Sequence, residues 1–129
     1  MGLSVGLFAA GLSAEQAGGK PDAKAVKNPV ASTPQSIAAG QTTFQKYCRF
    51  CHGADANGDG PMAPKDSHPP NLTDDTWDHG STDAEIYEVI AEGAPPKFVM
   101  KGFKSRMTAT EIWNVVNYLQ SLHAKAASK

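Results

Sequence analysis

Three stretches of the chain place apolar positions three and four residues apart, which is the pattern of one helical face. The first carries Ile37, Gly40, Phe44 and Tyr47. It opens behind Thr33 as a cap with Pro34 in the first turn, which predicts a helix running to about Tyr47. The second begins at Thr82, where Glu85 completes a capping box, and carries Ile86, Val89 and Ile90 up to a natural stop at Gly93. The third repeats that start with Thr108 and Glu111. It places Ile112, Val115, Val116, Leu119 and Leu122 inside and is expected to end near His123. No stretch alternates with period two, so the pattern predicts an all-α domain.

Between the first two helices lies a polar stretch, Gly53 to Ser81, punctuated by Gly58, Gly60, Pro61, Pro64, Pro69 and Pro70. So long a loop in a compact domain is usually functional or organised around something. Three modest helices enclose little core by themselves, and a large apolar disc at the centre would resolve both difficulties.

The N-terminus reads differently. Gly2 to Leu12 is an apolar run of about 11 residues, well short of the roughly 20 that cross a bilayer. It matches the core of a signal peptide, with small residues such as Ala14 nearby for cleavage, although no Lys or Arg precedes it. Residues 1–17 are therefore expected to be a signal peptide or a residual apolar segment, and export to the periplasm follows. Residues 18–33, rich in Gly, Pro, Ala and Lys, read as a flexible linker. Residues 34–124 form the domain and 125–129 a tail.

The 129 residues carry a formal net charge of −1, which gives no reason to expect nucleic acid as a partner, or a membrane unless the N-terminal run is retained. The charge is uneven, however. Ten acids and only Lys65 as a base lie between Gly53 and Glu92, whereas Lys97, Lys101, Lys104 and Arg106 face no acid between Gly93 and Arg106. Such asymmetry steers encounters between partners.

Both cysteines of the chain fall in Cys48-Arg49-Phe50-Cys51-His52, a C-x-x-C-H run. Two thiols on one helical turn can add to the two vinyl groups of a porphyrin, and the histidine that follows is then held beneath the iron as an axial ligand. A thioredoxin-like dithiol belongs in a βαβ context that the pattern lacks. A zinc site needs four ligands, and only His68, His79 and His123 stand outside the cluster. A plain disulfide is a weaker reading of the same two residues.

From Ser36 to Leu122 the chain resembles the class I monohaem c-type cytochromes, the bacterial soluble cytochrome c family. Gly40 and Phe44 stand where that family has a glycine and an aromatic before the haem motif, and Tyr118 where it has an aromatic in the last helix. The resemblance implies a class I cytochrome c fold: three main helices and long loops wrapped around one haem c, covalent through Cys48 and Cys51. It implies a proline carbonyl accepting the axial histidine's proton, for which Pro61 is the candidate ahead of Pro64. It also implies a methionine as second axial ligand.

Met100-Lys101-Gly102-Phe103 matches the family's Met-Pro-x-Phe except at Lys101, which makes Met100 the expected ligand ahead of Met107, Met62, His68 and His79. Trp77 and Trp113 are read as packing residues. The function implied is a one-electron outer-sphere carrier cycling Fe(III) and Fe(II) in an exported respiratory or dehydrogenase-linked chain, a monomer rather than an enzyme. Lys97, Lys101, Lys104 and Arg106 would ring the haem edge and dock an acidic redox partner. The rivals are a haem-based ligand sensor and a small peroxidase, both of which need an open or labile sixth position.

Overall fold

A computed structural model describes residues 26–129, which hold four helices: α1 (Pro34–Tyr47), α2 (Arg49–His52), α3 (Asp83–Glu92) and α4 (Ala109–Ala127). The apolar run at 1–17 and the first part of the expected linker lie outside the described residues. Among those described there is no strand, only one isolated bridge between Gly93 and Lys101. The all-α expectation holds.

Each long helix starts where its own sequence satisfies the free amide groups of the first turn. The Thr33 hydroxyl accepts from the Ser36 amide at 3.1 Å. Thr82 and Glu85 exchange bonds of 3.3 and 3.1 Å, and Thr108 and Glu111 bonds of 3.2 and 2.7 Å. The C-x-x-C-H run forms its own short turn, because Cys48 ends α1 and starts α2 at once.

The main packing joins α1 to α4. Gly40 sits at their crossing, where a Cβ would overlap the Asn114 carbonyl, so only glycine permits this approach. One turn further on, Phe44 and Tyr118 stack at a tilt, with centroids 5.4 Å apart. Phe44, Ile112, Val115 and Val116 are essentially sealed from solvent, and burying each contributes roughly 1.5–3 kcal/mol. α3 closes the core through Ile86 and Ile90, and Tyr87 stacks on Trp113 of α4 at 4.1 Å.

Two boundaries differ from expectation. α4 continues past His123 to Ala127, because Ala124, Lys125, Ala126 and Ala127 are good helix formers with no Gly or Pro among them to stop it. Residues 28–33, read as part of a flexible linker, are instead tied across α4. The Asn28 amide nitrogen donates to the Trp113 carbonyl at 3.0 Å and to Asn117 Oδ1 at 2.9 Å. Its backbone amide reaches Asp83 at 3.1 Å. The Asn117 amide nitrogen is shared among the Val30 carbonyl, the Ala31 carbonyl and Ser36 Oγ, at 3.1, 3.3 and 2.8 Å. Ser36 in turn donates to Asn114 Oδ1 at 2.7 Å. The composition suggested a loose tether; long-range side-chain bonds make it a strap.

Candidate functional site

The helices and loops leave one large apolar cavity of about 640 Å³. Its inner wall is built by Phe44, Val115 and Leu119 from α1 and α4, and by Ile86, Val89 and Ile90 from α3. The long loop supplies Leu72 and Trp77, and the segment between α3 and α4 supplies Met100 and Phe103.

The long loop is organised by local bonds rather than by regular structure. Gly58 donates to the His52 carbonyl at 2.8 Å, Gly60 to that of Cys51 at 3.1 Å and Leu72 to that of Ala56 at 2.8 Å. Asn71 Oδ1 accepts from both the amide and the hydroxyl of Thr73. The Trp77 indole donates to the Asp74 carbonyl at 2.6 Å. From the far side His123 of α4 reaches Asp75 at 2.6 Å and faces the Trp77 ring at 5.9 Å.

Cys48, Cys51 and His52 all line the cavity. Burial, with the neighbouring Cys51 thiol adding to it, pushes the Cys48 thiol up to about 12. Removal from solvent pulls the His52 imidazole below its usual value, which favours the neutral ring that binds metals. His52 Nδ1 is enclosed without a hydrogen-bond partner. Leaving such a nitrogen bare costs about 1–3 kcal/mol.

The expected bond from this nitrogen to Pro61 is not made. The amides of Gly60 and Met62 are pinned to the carbonyls of Cys51 and Phe50, which leaves Pro61 exposed on the outside of the turn. Pro64, the second choice, does line the cavity.

Of the candidate sixth ligands, Met100 lines the cavity and packs on the core. Met107 is buried at 6% exposure in the core and Met62 stands 68% exposed on the surface, and neither borders the cavity. His68 and His79 sit at the exposed rim, with His68 Nδ1 3.0 Å from the Gly58 carbonyl.

Lys97, Lys101 and Arg106 are exposed and line the cavity, so they mark its mouth. Arg106 lies over the Phe103 ring, 4.4 Å from its centroid. Lys104, expected among them, is instead held by Glu92 at 2.7 Å and does not border the cavity. Trp77, read as a packing residue, packs against the core and forms part of the cavity wall.

The donor set fits a haem. Two thiols and a neutral imidazole share one apolar cavity with a thioether, and the enclosed imidazole lacks a partner of its own. A helical shell of this topology around such a cavity defines a c-type cytochrome domain, a class of electron-transfer proteins with covalently bound haem. Comparison with known proteins narrows the class. The model of the family described as cytochrome c oxidase, cbb3-type, subunit III matches residues 35–119, and the chain belongs to that family.

The cbb3-type cytochrome c oxidase subunit CcoP of Rubrivivax gelatinosus is 37% identical over 107 residues, covering 78% of this chain and 31% of its own. The corresponding subunit FixP of Bradyrhizobium sp. (strain ORS 278) is 35% identical over 85 residues, 66% of this chain and 27% of its own. The chain thus spans about a third of the length of the curated relatives it matches. Among solved structures, cytochrome cL of the marine methylotroph Methylophaga aminisulfidivorans MPT superposes with a TM-score of 0.62 at 25% identity, over 92% of this chain and 79% of that one.

Proposed function

We propose that the chain binds one haem c through thioether bonds from Cys48 and Cys51, with His52 and Met100 as axial ligands, and works as a one-electron carrier rather than as an enzyme. The observation that carries this reading is the convergence of both thiols, the imidazole and the Met100 thioether on one apolar cavity. When bound, the haem supplies an Fe(III)/Fe(II) couple, and a thioether opposite an imidazole favours the reduced state.

The chain's own residues do the rest. His52 offers a neutral nitrogen and Met100 a thioether that would hold the iron and keep substrates from it, while Phe44, Ile86, Val115 and Leu119 exclude water. Low solvent access limits reorganisation around the couple. Lys97, Lys101 and Arg106 at the mouth steer an acidic redox partner towards the exposed edge, in the manner of a charged patch that raises encounter rates. Lys104 is left out of that surface, since Glu92 neutralises it. We place the carrier outside the cytoplasmic membrane, in an oxidase- or dehydrogenase-linked chain, because its relatives are named as oxidase subunits. No helix among the described residues is long and apolar enough to cross a membrane.

The test is an absorption spectrum, oxidised and then reduced with dithionite, with carbon monoxide added last. Sharp split reduced bands, a weak far-red band when oxidised and no response to carbon monoxide are expected. A carbon monoxide shift would replace the carrier with a ligand sensor or peroxidase.

A further inference from the structure

Apart from Met100, which packs on the core, the segment from Pro95 to Lys101 has little side-chain packing to hold it. Phe98 and Val99 are 41% and 49% exposed, and Pro95, Pro96, Lys97 and Lys101 are exposed as well. Its order comes from the backbone. The Ala94 amide donates to the Met100 carbonyl at 3.0 Å and the Phe98 amide to the Ala94 carbonyl at 2.9 Å. Gly93 pairs with Lys101 as an antiparallel bridge. Just beyond, the amides of Phe103 and Lys104 return to the carbonyls of Ile90 and Ala91 at the end of α3, at 2.8 and 3.2 Å.

Two glycines flank this lashing, and each is required by geometry. Gly93 ends α3 at φ +102°, a conformation that side-chain-bearing residues rarely adopt, with the Met100 carbonyl 2.9 Å from where its Cβ would stand. Gly102 lies so close to α3 that a Cβ would overlap the Ala91 carbonyl oxygen and crowd that of Glu92. Backbone atoms at a helix end cannot swing aside as a flexible side chain would.

We propose that Gly93 and Gly102 are the positioning residues for the Met100 sulfur: they allow the backbone of this loop to close on itself and on α3, which keeps the sixth position shut. The inference rests on the reading of Met100 as an axial ligand. It also explains how Lys101 can follow the methionine directly. The described backbone bonds of the loop do not use the Lys101 amide, so the position is released for a charged side chain at the mouth.

The experiment uses the haem-loaded protein with Gly102→Ala, Gly93→Ala and, as a control between α3 and α4 that is exposed and does not border the cavity, Ser105→Ala. Both glycine variants should keep covalent haem and helix content, lose intensity in the far-red band and bind cyanide on the order of tenfold faster, since ligand entry scales with the open fraction. Ser105→Ala should change neither. Glycine variants that keep the band and the cyanide rate of the parent overturn the proposal while leaving the Met100 reading intact. A parent with no far-red band, unaltered in cyanide binding by Met100→Ala, overturns both. Should a glycine variant fail to fold, hydrogen exchange at the Ala94 amide of the parent decides. Protection supports the lashing, and exchange at the rate of an open chain refutes it.

Discussion

The α1–α4 crossing and the Met100 loop are both tight, but for opposite reasons. At the crossing, side chains interlock around Gly40 and Phe44, and the Asn28–Asn117–Ser36 network pins the preceding strap over it. In the loop the side chains other than Met100 are half-exposed or exposed around the cavity mouth, and backbone bonds carry the order. Packing of the first kind resists any change of volume. Order of the second kind is local and can open without unfolding the rest. With Met100 as the proposed ligand, stability and ligation fall to different parts of the molecule, and substitutions should separate them.

The largest effect is expected at the wall they share. Replacing both Cys48 and Cys51 by alanine should abolish covalent haem altogether, read as loss of haem staining on a denaturing gel. Replacing Gly40 by alanine forces a methyl into the Asn114 carbonyl. A cost of about 3 kcal/mol, at the upper end of overpacking, should appear in denaturant unfolding while the far-red band persists. Met100→Ala should do the reverse: carbon monoxide binds the reduced protein, and the unfolding midpoint moves far less than in Gly40→Ala. If both variants shift stability and spectrum together, the separation is wrong.

Smaller effects refine the contrast. Asn117→Ala strips partners from Asn28, Ser36 and the strap carbonyls, and should cost about 1–3 kcal/mol with no spectral change. The smallest should be Lys101→Glu, which leaves stability and ligation alone and slows electron exchange with an acidic partner several-fold at low salt. The difference should fade as ionic strength rises through about 0.1 M, and a rate indifferent to salt would remove the docking surface.

How much of this was legible in the sequence follows the range of the interactions. The capping boxes at Thr82–Glu85 and Thr108–Glu111 span three residues, and the expected helix starts match the structure. The C-x-x-C-H run is equally local. Met100 was found by its place in a resembling motif, and the structure brings it to the cavity. What escaped depends on partners far along the chain. The strap from Asn28 joins residues 85 and 89 positions away, and no composition shift announces it. Pro61 lies exposed because neighbouring amides set the course of the turn. Lys104 left the basic ring because Glu92, one helix end away, claims it. α4 outruns its last apolar contact because the residues that follow are still good helix formers.

The partnership of the first helix with the last has a consequence for the order in which the molecule is made. α1 has its main packing partner in α4, so during synthesis it must wait for residues 109–127 to emerge before it can be covered. Contacts of such sequence separation form late, because the loop between them must close first. Cys48 and Cys51, just past the end of α1, therefore stay uncovered by that packing until α4 has emerged. The interval in which both thiols stay accessible is set by the length of chain between Tyr47 and Ala109.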